Sequence, residues 1–108
     1  MRAFLAEFEH IVLIAALRLG EDASAPAILA EIERCTGRQP AAGSIYVTLD
    51  RLEEKGMLAS QFEEGTPARG GRPRRFVRPT RTGLAALRES RAALTNLWRG
   101  LEKRLDHG

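Results

Sequence analysis

A chain of 108 residues with 44% apolar and 29% charged side chains has the size and make-up of one globular domain that builds its own core. Its single cysteine, Cys35, excludes an internal disulfide, no cysteine–histidine cluster offers zinc spacing, and the longest apolar run, Ile11 to Leu17, is far too short to span a membrane. Glu7 and Glu9 interrupt the apolar stretch a signal peptide would need, so the sequence predicts a cytoplasmic protein without cofactor, metal or membrane partner.

The net charge of +3 is unevenly placed. Residues 1–64 carry six basic and eleven acidic side chains, whereas residues 65–81 carry six arginines and no acid. A basic block on an otherwise acidic chain fits either a contact with a polyanion or a solvated loop, and charge alone leaves both readings open.

The first predicted element is a helix over about 4–19. Phe4, Phe8, Ile11, Val12, Ala15 and Leu19 recur at helical spacing, and Leu13, Ile14 and Leu17 make a second apolar face that also needs cover. Gly20 is a fitting stop. A second helix begins at the N-cap residue Ser24, tolerates Pro26 in its first turn, buries Ile28, Leu29, Ile32 and Cys35, and ends at Gly37. Gln39 to Ala42 form a turn. A third helix over 42–55 is held inward by Ile45, Leu49 and Leu52 and stopped by Gly56.

The period then changes. Leu58 to Glu63 and Arg75 to Arg78 read as two short strands, and the Gly- and Pro-rich stretch between them as a hairpin tip. Pro79 closes the second strand because it cannot donate to the ladder. A last helix, capped by Thr80 or Thr82, is predicted to run to about Leu105. Leu84, Leu87, Leu94, Trp98, Leu101 and Leu105 give it a coiled-coil seam broken once by Arg91. The expected fold is mainly α with a small β-hairpin. Residues 1–80 form a winged helix-turn-helix and residues 81–108 a C-terminal dimerisation helix.

In such a module the third helix is the recognition helix, and its opening turns face DNA. Gly43, Ser44, Tyr46, Val47, Thr48 and Arg51 are the candidate contacts on it. Arg69, Arg72, Arg74 and Arg75 are the candidates on the wing, because guanidinium forks match phosphate geometry. Plainer readings remain: Tyr46 as a cap on the core edge, Arg51 paired with Glu54.

The stretches GSIYVTLDRLEEKGMLAS (43–60) and GGRPRRFVRPTRTG (70–83) resemble the PadR family of transcriptional regulators, and the resemblance runs over nearly the whole chain. Its strongest marks are Ile45-Tyr46, Leu49, Arg51-Leu52-Glu53, Gly56, the arginine-glycine wing, Phe76, Thr80 and Gly83. A single long C-terminal helix is similar to the short branch of that family. The resemblance implies a homodimer that represses nearby genes, released in some members by small aromatic or other effectors. It also implies DNA contact by Tyr46 and by the wing arginines 72, 74 and 75. Val47 stands where the family often has proline, and Phe76-Val77 where a Tyr-Tyr pair is frequent.

Trp98 has two readings: packing in a dimer interface, or a platform for a flat hydrophobic effector, with Phe4 and Phe8 nearby. Leu94, Leu101 and Leu105 share its seam. The sequence thus predicts a DNA-binding regulator, with a protein-interaction module lacking DNA binding as the alternative. It contains no phosphate loop, metal-ligand spacing or nucleophile–base pair that would point to an enzyme.

Overall fold

The computed structural model describes residues 5–65, 67, 70, 71 and 73–106. Phe4, Arg69 and Arg72 of the candidate residues lie outside them. Helix α1 spans Glu7–Leu19, α2 Ala25–Thr36 and α3 Ala42–Glu54. The hairpin of β1, Leu58–Glu63, and β2, Arg74–Pro79, follows, then α4, Arg81–Trp98, and a short α5, Glu102–Asp106.

Helix α1 starts where Glu9, its third residue, reaches back to accept the Ala6 N–H at 2.9 Å. Gly20 ends it at a positive φ of 59°. Ser24 caps α2 as the sequence predicts, its Oγ accepting from the Ala27 N–H, and Gly37 closes α2 in the left-handed region. The three helices meet over one core: Val12, Leu13 and Ala16 from α1, Ile28 and Ile32 from α2, and Ile45, Leu49 and Leu52 from α3. Met57, Leu58 and Val77 close it from the hairpin side, and Leu87 from α4.

Cys35 does not join this core. It is exposed together with the rest of the last turn of α2, whose buried stripe ends at Ile32. Its thiol donates to Glu31 Oε2 at 3.6 Å, and Arg34 lies beside it. Glu31 also accepts from Arg18 of α1 at 2.7 Å and Arg34 at 2.6 Å. Those two guanidiniums, Arg34 first, hold its pKa down to about 2.

The hairpin is antiparallel with Leu58 opposite Pro79 and Glu63 opposite Arg74. It is tied to the helical layer by the Val77 N–H, which donates to the Ala23 carbonyl at 2.9 Å. Thr80 fixes the next junction. Its N–H donates to the Met57 carbonyl, its hydroxyl donates to the Gly56 carbonyl, and its Oγ1 caps α4 by accepting from the Gly83 N–H. Gly83 has a reason to be glycine, since a Cβ there would overlap the Met57 carbonyl oxygen.

The final helix is not continuous to Leu105. It ends at Trp98, Arg99 leaves helical geometry, and Gly100 takes a φ of 84° before α5 begins. The heptad seam outran this break: the leucine spacing continues through a glycine that the backbone uses to turn. Leu101 and Leu105 therefore do not extend α4. Only the first half of α4 packs on the body, at Gly83 and Leu87; residues 91–98 are all exposed. The radius of gyration is accordingly 16.0 Å, against about 13 Å for a compact domain of this length.

Candidate nucleic-acid interface and its apolar counterpart

Helix α3 is pinned along one side by Ile45, Leu49 and Leu52. The opposite side at its start carries Gly43, Ser44, Tyr46 and Val47, all exposed, with Tyr46 at 48%. Arg51, one turn on, is exposed as well and makes no ion pair among the described residues, with Glu54 or otherwise. The N-terminal N–H groups of α3 open onto the same end.

Thr48 is a correction. It is only 5% exposed, and its hydroxyl donates to the Ser44 carbonyl at 2.7 Å. Thr48 lies three residues after Ile45 and four before Leu52, so helical spacing puts it on the anchored side despite its polar group.

Arg75 is the second correction. Instead of projecting from the wing, its side chain is 18% exposed and turned onto α3. Nη1 donates to Asp50 Oδ1 at 3.0 Å, Nη2 to Glu53 Oε2 at 3.2 Å, and Nε to Ser60 Oγ on β1 at 2.9 Å. The alternation of the strand carries this signal: Arg75 is two residues from the buried Val77 and shares its face. Arg74 faces the other way. It is exposed, its guanidinium 5.0 Å from the centroid of the Phe76 ring.

Two supports behind α3 escape sequence reasoning. Glu9 is buried and accepts from Lys55 Nζ at 2.8 and 2.9 Å, which joins the start of α1 to the end of α3. Burial works against its charge. The Lys55 and Ala6 hydrogen bonds and the positive charges of Lys55 and Arg51 outweigh burial and lower its pKa. Glu9 falls inside the predicted first helix, and nothing local in the sequence marks its partner, 46 residues on. On the outside of the turn before α3, Arg38 donates to Glu7 at 2.9 Å and lies 6.0 Å from the Phe8 ring centroid.

That contact also corrects the surroundings of Trp98. Phe8 faces Arg38 and the core. The walls of the groove beside Trp98 come from His10, Ile14 and Leu17 of α1 and from Leu84, Leu87, Arg88, Arg91, Leu94 and Thr95 of α4. This groove measures about 490 Å³. Ile14, Leu17, Leu94 and Trp98 are 41–50% exposed along it, and Leu97, Leu101 and Leu105 are exposed beyond it. The sequence marks the apolar second face of α1, but the aromatic expected beside Trp98, Phe8, lies away from the groove, and Phe4 is outside the described residues.

Three helices followed by a two-stranded hairpin, with the third helix held so that its first turns look outward, define a winged helix-turn-helix module. The description "Transcriptional regulator PadR-like family" matches residues 15–89, and the chain belongs to that family. It is 43% identical over 63 residues to the transcriptional regulator Rv3488 of Mycobacterium tuberculosis, a match covering 58% of this chain and 55% of that one, so it spans about half the length of that relative. A PadR family transcriptional regulator from Eggerthella lenta superposes with a TM-score of 0.66 at 30% identity, over 91% of this chain and 82% of that one. A PadR-like transcription factor from Bacteroides fragilis gives 0.71 at 23% identity over 93% and 87%, which is a likeness of fold. No helix among the described residues is long and apolar enough to cross a membrane.

Proposed function

We propose that this chain binds double-stranded DNA as a homodimer and represses transcription from the site it occupies. The observation that carries the reading is the outward set Gly43, Ser44, Tyr46, Val47 and Arg51 on a helix whose other side is wholly anchored. In the bound state the start of α3 enters the major groove, with Tyr46 and Ser44 at base edges or phosphates and Arg51 reaching a guanine or phosphate. Arg69, Arg72 and Arg74 supply phosphate or minor-groove contacts from the wing. Membership of a family of transcriptional regulators supports this assignment.

Residues 81–108 serve as the dimerisation arm. The groove between α1 and α4 exposes more large apolar side chains than a solitary small domain sustains, and the occupant it fits best is α4 of a second copy. Leu94 and Trp98 are the central contacts, with Leu101 and Leu105 beside them on α5. The groove's volume falls in the range of small-molecule sites, so a flat hydrophobic effector wedged beside Trp98 would compete with dimer packing and change the spacing of the two α3 helices.

The test is fluorescence anisotropy with the intergenic DNA upstream of the chain's own gene, across a salt series. The reading predicts binding that weakens steeply with salt, and a slope smaller by up to about two when Arg72 and Arg74 are both replaced by alanine. No binding to any duplex at low salt would favour a winged-helix module that contacts proteins instead.

A further inference from the structure

We propose that Arg75 is a positioning residue: it clamps the wing against α3, sets the angle between the two DNA-facing elements, and is not itself a phosphate ligand. The proposal rests on the DNA-binding reading above for its functional consequence, but the clamp is a property of the free chain.

Each of the three guanidinium nitrogens of Arg75 has a partner: Asp50 and Glu53 on α3, and Ser60 on the neighbouring strand. One planar group thus spans the third helix and both strands, and its fork geometry fixes direction as well as distance. Asp50 and Glu53 are three residues apart on one side of α3, so a single arginine meets both. Asp50 lies one helical turn after the exposed Tyr46, and unneutralised carboxylates on that stretch of α3 would repel phosphates. Arg75 therefore fixes the wing and cancels that repulsion. Arg74, adjacent in the chain but on the opposite face of the strand, stays exposed for the polyanion. Ion pairs at partly exposed positions are individually weak, so the clamp acts by orientation and by cancelling charge more than by stabilising the fold.

Amide hydrogen exchange on the free protein reads the clamp directly. Arg75→Ala is expected to speed exchange of the β1 and β2 amides about fivefold while the α1 and α2 amides keep their rates, and Arg75→Lys, which retains one charged contact, to fall between. Wing exchange unchanged in Arg75→Ala overturns the proposal, whatever the DNA result. Anisotropy then reads the consequence through a double-mutant cycle with Asp50→Asn/Glu53→Gln. Arg75→Ala should weaken DNA binding about tenfold in the otherwise native chain. In the Asp50→Asn/Glu53→Gln background it should change affinity less than about twofold and leave the salt slope unaltered. Equal losses in both backgrounds, with a slope smaller by about one, would make Arg75 a phosphate ligand and overturn the proposal. If the native chain itself binds no duplex, the DNA-binding reading fails, and the exchange result still decides whether the clamp exists.

Discussion

Helices α3 and α4 are both held to the core by buried leucines and both leave part of their surface in solvent, but what they leave out differs. The free side of α3 carries a hydroxyl and a phenol at its start and a guanidinium towards its end. The free length of α4 carries Leu94, Leu97 and Trp98, with Trp98 still 43% exposed. Polar groups on a rigid helix cost nothing in water and are ready for a polar partner. Large apolar groups in water are unfavourable and call for cover. The polar surface is the one proposed to meet DNA, the apolar one the surface proposed to meet a second subunit, and the same small core holds both.

If the core is what holds α3, cutting its anchor should have the largest effect. Leu49→Ala is expected to destabilise the fold by about 2–5 kcal/mol, read from urea denaturation, because the deleted atoms leave a cavity in the core cluster that Leu49 shares with Ile45 and Leu52. A loss under about 1 kcal/mol would mean that α3 is not anchored there. On the α4 side, Gly83→Ala forces a methyl group into the Met57 carbonyl and should cost about 1–3 kcal/mol, lowering the thermal midpoint. An unaltered midpoint would show that α4 docks more loosely than the Thr80 hydrogen bonds imply.

The apolar surface is broken more selectively. Leu94→Glu lies on a half-exposed position, so the monomer should fold normally while sedimentation shifts from dimer to monomer at micromolar concentration. A dimer that survives this change would move the interface elsewhere. The smallest effect concerns the ion cluster joining α1 to α2. Glu31 has its pKa lowered from 4.5 to about 2, so the folded state gains from its charge above about pH 4.5 and loses that gain as pH falls towards 2. Glu31→Gln should therefore be less stable than the native chain at neutral pH, and the two denaturation midpoints should converge between pH 4.5 and 2. A constant difference over that range would remove the cluster from the account.

Much of this architecture was legible because short-range rules dominate it. Ser24, Gly37 and Thr80 mark helix ends by cap chemistry, and Ile45, Leu49 and Leu52 mark the buried side of α3 by spacing. Where sequence and structure part, the causes differ. Polarity alone points Thr48 and Arg75 outward, although helical and strand periodicity put both on the inward side. Cys35 fits the inward stripe of α2 yet is exposed, because periodicity gives direction and not how far along the helix the cover extends. At Gly100 the heptad spacing runs on across a residue the backbone uses to break the helix. The Glu9–Lys55 pair and the partners of Arg75 join residues far apart in the chain, and no local pattern announces such contacts.

The central claim is that one subunit meets DNA with the start of α3 while the α4 arms hold two such subunits together. A dipolar electron-spin measurement on the DNA complex of the Cys35→Ser/Ser44→Cys chain, labelled at residue 44, tests it most directly. The account predicts one narrow distance near the ~34 Å spacing of successive major grooves, extended only by the reach of the labels. Absence of a dipolar signal, or a distance below about 20 Å, would contradict it.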